Sequence, residues 1–240
     1  MENDVWIKRY HNSELQEPVA VVGSPGLRSI GKLVVESLIS ETKAELIAEL
    51  YSTHLPSIYE TQPSYAAHPA LPGFGGVIVE SGSLDLPKVQ IYACNSPQLI
   101  IVKGYHANFS GQYSVAQKVV AFLKEKKVKR TVVIAGYGTK DKKICCAATN
   151  QEILQEMKQK FNIDIGYRGP FMGFSGLIFG LAKASGIEGV CLFSGTEPKE
   201  DDLEFPDKES SQRALEQLRQ ILGSSLRGLE ETKNGRANTV

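Results

Sequence analysis

Apolar positions along this chain follow two patterns. Short unbroken runs at 19–22, 131–135 and 190–193 have the form of strands covered on both faces. Further strands are predicted at 44–51, 76–80, 89–94, 99–103 and 144–148, with an edge strand at 5–7. Asn95-Ser96-Pro97 is a turn signal, so 89–94 and 99–103 should form an antiparallel hairpin. Elsewhere the spacing is helical. Ile30, Leu33, Val34 and Leu38 predict a helix over 30–40, and Val115, Val119, Phe122 and Leu123 one over 112–126. Ile153, Leu154 and Met157 predict a helix reaching Phe161, with Asn150 as its cap. Leu215, Leu218, Ile221 and Leu222 predict a last helix over about 207–222, which Gly223 ends.

The stretch 166–197 organises the rest. It reads as loop, buried helix, tight turn, buried strand and exit loop. Gly176, Gly180 and Ala184 recur every four residues and predict a smooth line that lets a neighbouring helix approach closely. Gly186 should close that helix in the left-handed conformation. A helix passing into a buried strand reads as half of a right-handed βαβ unit. The run at 19–22, its glycine loop, the helix and the strand at 44–51 read as a parallel crossover. These elements predict one α/β domain over 1–223, a mixed, mostly parallel sheet with helices on both faces. The polar residues 224–240 lack periodicity and are expected to form a flexible tail.

The stretch 53–76 is irregular and rich in proline and aromatic residues. A structureless loop of this length suits a flap or a partner-covered surface. His54, Pro56, Tyr59, Tyr65 and Phe74 are therefore candidate protein-interface residues.

Composition narrows the function classes. The 240 residues carry zero formal net charge, which removes the electrostatic case for nucleic acid or an anionic membrane as partner. The N-terminus has no secretory pattern, and the most apolar stretch, 171–182, is too short to span a bilayer, so a cytoplasmic protein is expected. Cys94, Cys145, Cys146 and Cys191 show no CxxC spacing and read as free buried thiols, the adjacent pair pointing to opposite faces of a strand.

Candidate chemistry is thin. Gly26 to Lys32 matches the G-x-x-x-x-G-K part of a phosphate-binding loop, but Leu33 stands where a magnesium-binding Ser or Thr belongs. The same turn remains a possible anion contact, because helix N-termini attract anions. Gly173-Phe174-Ser175-Gly176 resembles a nucleophile elbow, but Leu177 replaces the second required glycine, so Ser175 reads as a helix cap. His106 lies just past a strand end, where α/β folds place ligands, without a clear carboxylate partner. His54 and His68 lack the further ligands of a zinc site, and Glu200-Asp201-Asp202 has no calcium-loop spacing. No catalytic residue, cofactor or metal is expected. Gly23, Pro25, Gly26, Arg28, His106, Tyr137 and Ser175 mark an alternative site, a crevice at the strand C-terminal ends for an anion or small molecule.

The order of motifs resembles a known family. Gly23-Ser24-Pro25-Gly26 with Gly31-Lys32 opens it, and Gly136-Tyr137-Gly138 and Ala147-Ala148-Thr149-Asn150 follow. Gly173 to Leu177, Gly186-Ile187 and Cys191-Leu192 complete it. This sequence is similar to archaeal and bacterial relatives of the eukaryotic proteasome assembly chaperones. The resemblance implies a three-layer α/β/α sandwich of phosphorylase-like fold and a non-catalytic homo-oligomer that binds protein, with proteasome core subunits as partners. Some relatives resemble proteins whose tail ends in hydrophobic–tyrosine–any residue; this chain ends Asn238-Thr239-Val240. Arg28 stands where such relatives more often carry a small residue.

Overall fold

The computed structural model describes residues 4–11, 14–55, 77–197 and 205–235, with 224–235 as helical backbone alone. In chain order the elements are β1 (Val5–Arg9), β2 (Val19–Gly23), α1 (Ile30–Thr42), β3 (Glu45–Ser52), β4 (Ile78–Glu80), β5 (Ser83–Asp85), β6 (Val89–Asn95) and β7 (Gln98–Lys103). There follow α2 (Gln112–Glu125), β8 (Arg130–Gly138), β9 (Ile144–Ala148), α3 (Gln151–Phe161), β10 (Asp164–Ile165), α4 (Gly173–Ala184), β11 (Glu188–Thr196) and α5 (Lys208–Gly235).

Nine strands form one mixed sheet in the order β1-β3-β6-β7-β2-β8-β11-β9-β10. Its centre, β7-β2-β8-β11, is parallel, and β6 and β7 form the expected antiparallel hairpin. Successive residues of β2 show why its run is unbroken. Ala20 and Val22 face a core with α2 and α4, whereas Val21 faces a second core with α1, α3 and α5. Both faces are covered, so neither parity can be polar. Cys145 and Cys146 divide between the two cores in the same way. The result is the three-layer α/β/α arrangement.

Local signals placed several ends correctly. The Asn150 side chain accepts a hydrogen bond from the Ile153 amide at 2.9 Å and caps α3. Gly186, at φ +80°, closes α4. Its amide donates to Lys183 O and the Ile187 amide to Ala182 O, the paired bonds that satisfy helix-end carbonyls.

Other expectations need correction. The strand at 76–80 does not join the main sheet; β4 pairs with β5 in a separate two-stranded ribbon. Ser81 and Gly82, both at positive φ, make the tight hairpin turn that folds β4 back at once. Nor does α4 complete a βαβ unit. The strand before it, β10, runs parallel to β9 and therefore antiparallel to β11. The line Gly176, Gly180, Ala184 is not the packing face of α4; Phe174, Ile178 and Ala182 are. Gly180 and Ala184 are exposed, and a methyl group on Gly180 would meet nothing within 4 Å. The last helix does not end at Gly223 but continues to Gly235. A mid-helix glycine costs about 1 kcal/mol relative to alanine, too little to stop a helix whose register continues through Leu222, Leu226 and Leu229 in the sequence. β3 runs in the direction of β2 as expected of a crossover, but β6 and β7 lie between them.

The start of α5 is anchored by Asp207. Its carboxylate accepts from the Ser210 amide at 2.9 Å, the Thr196 hydroxyl at 2.6 Å and the Ser210 hydroxyl at 2.8 Å. Thr196 ends β11, so this cap ties α5 to the sheet.

Candidate functional site

The sheet positions a crevice by the way its connections diverge. β2 leads into α1 on one face, and its neighbour β7 leads into α2 on the other. Connections that part in this way open a cleft beyond the strand C-termini, where α/β folds place ligands. A crevice of about 450 Å³ lies there, between the ends of β2 and β8 and the N-terminus of α4.

Two glycines bring its wall together. A methyl group on Gly23 would sit 2.2 Å from Gly31 O, and one on Gly31 would sit 2.7 Å from Ile134 O. Both contacts are with backbone, so α1 can rest on the strand ends only where side chains are missing. At the base, the Ser24 and Ser175 hydroxyls hydrogen-bond each other at 2.6 Å, both side chains buried. Two hydroxyls share two hydrogens and one bond between them. One O–H thus remains to donate to a further acceptor.

The opposite wall is aromatic. Tyr167 stacks on Phe193 with ring centroids 4.0 Å apart, and Phe171 meets Phe193 edge-on at 4.9 Å. Tyr137 stands edge-on to Tyr167 and Phe193. Burial, then its hydrogen bond with the Cys145 thiol, pushes the Tyr137 phenol up to about 12. Burial also raises Cys145, so this wall stays uncharged at neutral pH.

The structure brings together Pro25, Gly26, Tyr137 and Ser175 of the residues singled out from sequence. Ser175 is not the cap of α4; Met172 holds that position, and Ser175 lies in the first turn, turned toward Ser24. Gly23 shapes the wall from behind. Arg28 does not line the crevice. The chain turns left-handed at Arg28, φ +52°, and its guanidinium donates to Glu197 O and Phe205 O, both at 3.0 Å. Its charge is spent on backbone carbonyls ahead of α5. His106 is buried and also outside the lining. Its Nδ1 accepts from the Asn108 amide at 2.9 Å, and burial lowers its pKa to about 3, so it is a neutral acceptor rather than an anion contact. His54 lies 4.0 Å from Asp4 Oδ2, just past the end of β3 and beside Gly111 at the start of α2, outside the crevice lining. Pro56, Tyr59, Tyr65 and Phe74 fall outside the described residues, as do Glu200, Asp201 and Asp202.

Sequence reasoning missed Ser24 as a partner of Ser175, and missed the Tyr167 and Phe171 wall. The serines are 151 positions apart, so no local signal links them. Among the described residues no group of His, Cys, Asp and Glu could hold a metal ion, and no helix is long and apolar enough to cross a membrane. The described cysteines are all free thiols.

The model of the PAC2 family matches residues 20–233. The chain belongs to the PAC2 family. Its resemblance to proteasome assembly chaperone relatives therefore holds at the level of family. An uncharacterised protein of Methanocaldococcus jannaschii is 26% identical over 192 residues, 76% of this chain and 67% of that protein. Among solved structures, this PAC2 chain is similar to Pyrococcus furiosus PbaB, described as an archaeal proteasome activator. That likeness has a TM-score of 0.74 and 24% identity, and covers 97% of both chains. It is also similar to Pyrococcus furiosus PbaA, described as an archaeal homologue of proteasome-assembly chaperone. There the TM-score is 0.69 at 19% identity, over 97% of this chain and 94% of the other. At these identities the likeness establishes a shared fold.

Proposed function

We propose that this PAC2 protein is a non-catalytic, homo-oligomeric protein-binding module of the cytoplasm whose partner is the proteasome core. The observation that carries this reading is the family match, with fold likeness over nearly the whole chain to a proteasome activator and to an assembly-chaperone homologue. The crevice supports it. Ser24 and Ser175 bond to each other rather than to a base, and the nearby histidine is neutral and bound to an amide. Nucleophilic catalysis would instead need a base within reach of the hydroxyl. The test is size-exclusion chromatography with light scattering, alone and with proteasome core particles from the same source. A self-associated species that co-migrates with the core supports the proposal. A species that never co-migrates overturns the proteasome assignment, and a strict monomer overturns the oligomer.

A second reading is favoured by the crevice itself, which presents an aromatic wall and one uncommitted serine O–H. In this reading it holds a small anion or planar molecule. A thermal-shift screen with phosphate, nucleosides and nucleotides tests it. Ligand at 100 times its dissociation constant adds about 2.7 kcal/mol and raises the melting temperature. No shift with any of them removes the reading.

A further inference from the structure

The outer strands of the sheet carry an apolar surface that the crevice does not use. In the β4–β5 ribbon Val79 pairs with Leu84, and Ile78 with Asp85. A period of two then places Val77, Val79, Leu84 and Leu86 on one face, with Ile78 on the other. Ile78 packs against the core. The four on the outer face are exposed, Val79 at 63% and Leu84 at 71%. An isolated two-stranded ribbon is marginal in water, and this one turns its apolar side outward.

Beside the ribbon, β1 is the end strand of the sheet and, among the described residues, pairs with β3 alone. Trp6 of β1 stacks on Tyr51 of β3 at 5.7 Å and is 44% exposed. Tyr10, next to β1, is exposed too. Ribbon and strands enclose a groove of about 700 Å³. Its base is rigid and polar. Glu49, buried, accepts from the hydroxyls of Tyr10 and of Tyr51 (2.6 Å) and pairs with Lys88 Nζ at 2.8 Å. Six of the ten large hydrophobic residues exposed among the described residues gather here. They present on the order of 500 Å² of apolar surface, the size of the largest patch on a typical monomer, which is often a functional one.

We propose that this face is where two copies of the chain meet, the ribbon of one lying over the Trp6–Tyr51 stack of the other. The inference rests on the self-association reading above and names its surface. A two-fold contact must be complementary to itself. Here the apolar ribbon and the aromatic groove adjoin on the same chain, so a two-fold axis brings each against the other. The rim carries both signs, with Lys8 exposed and the Asp85 carboxylate half-exposed even as it pairs with Lys88, so opposite charges can meet across the axis. Zero formal net charge leaves no long-range repulsion between copies. A standard interface buries roughly 800 Å² per partner, so an apolar patch of this size suits the centre of one.

Leu84→Asp and Val79→Asp test the proposal. Both residues lie outside the two cores, and an unchanged far-UV circular dichroism spectrum checks that the fold survives. Trp6 is the only tryptophan of the chain, so its acrylamide quenching reports this face directly. Expected is a wild-type multimer by light scattering, with Trp6 protected at concentrations where the mass rises. In each variant self-association weakens about 100-fold or more, because a carboxylate is buried without a partner, and Trp6 stays open to quencher. A wild-type multimer whose variants keep their mass, or whose Trp6 quenching never changes, overturns the surface while sparing self-association. A wild type that is monomeric at every concentration overturns both. Protection of Trp6 only on adding proteasome core particles assigns the face to that partner and overturns the second-copy proposal.

Discussion

Replacing Asp207 with alanine should loosen α5 from the sheet. The carboxylate satisfies the Ser210 amide in the first turn and the hydroxyls of Thr196 and Ser210. Loss of a helix cap costs about 1 kcal/mol. Thr196 is fully buried and would lose its acceptor, a further cost of about 1–3 kcal/mol. Ser210 is cushioned, because its hydroxyl also bonds Gly195 O at 2.9 Å. The sum is about 2–4 kcal/mol. For a domain of this size each kcal/mol lowers the melting temperature by about 2–4 °C, so the variant should melt about 10 °C lower at pH 7. The effect has a pH signature. Burial raises the Asp207 pKa, but the Ser210 amide, the Thr196 and Ser210 hydroxyls and nearby Arg28 outweigh it and hold the pKa below the usual aspartate value. The group therefore stabilises the fold above the unfolded-state pKa of about 3.9, and that contribution disappears as pH falls through the folded value. Melts of wild type and Asp207→Ala by circular dichroism should converge in acid and separate toward neutrality. Asp207→Asn keeps an acceptor for the amide and should fall between them. A variant melting within 2 °C of wild type at pH 7, or a gap unchanged by acid, refutes the reasoning.

Ser24→Ala and Ser175→Ala should each destabilise the protein by about 1 kcal/mol, and the double variant by less than the sum, a coupling of at least about 0.5 kcal/mol in chemical denaturation; strict additivity would show that the two hydroxyls do not depend on each other. His106, with a folded pKa of about 3, should remain neutral in proton NMR titrations well below pH 6. The unfolded chain binds that proton near pH 6.5, so His106 makes stability fall as pH drops through that value, by up to about 1.4 kcal/mol per pH unit. A titration midpoint near 6.5 in the folded protein would contradict the burial argument.

Much of the fold was legible because its causes are local. The unbroken run Val19 to Val22 announced a strand covered on both faces, and both cores close over it. Asn150 and Gly186 marked helix ends through bonds spanning three to five residues. The crevice was legible in part. Pro25, Gly26, Tyr137 and Ser175 were placed from their positions at element ends, where α/β folds gather ligands. The role of Ser175 was not, because its partner Ser24 is set by the packing of α4 beside β2 and not by neighbours in the chain. Arg28 and His106 were candidate contacts at the crevice from their positions past strand ends. Whether a side chain faces a cleft, a carbonyl or a core depends on what packs over it, and that removed both from the lining.

The ribbon shows the same division at the scale of an element. Ser81-Gly82 is a local turn signal, and the apolar run 77–79 before it and the alternation over 83–86 after it are in the sequence. That the ribbon stands apart from the main sheet, its apolar face outward beside Trp6, follows from which strands fill the nine sheet positions. By itself the sequence determined the two covered sheet faces, most helix spacings and the helix ends at Asn150 and Gly186, because periodicity and backbone preference act over a few residues. Only the tertiary structure decided strand order, the serine pair, the neutral histidine and the exposed ribbon face. Each of these is a contact between distant segments, or the lack of one, and its energy comes from burial that no local stretch can supply.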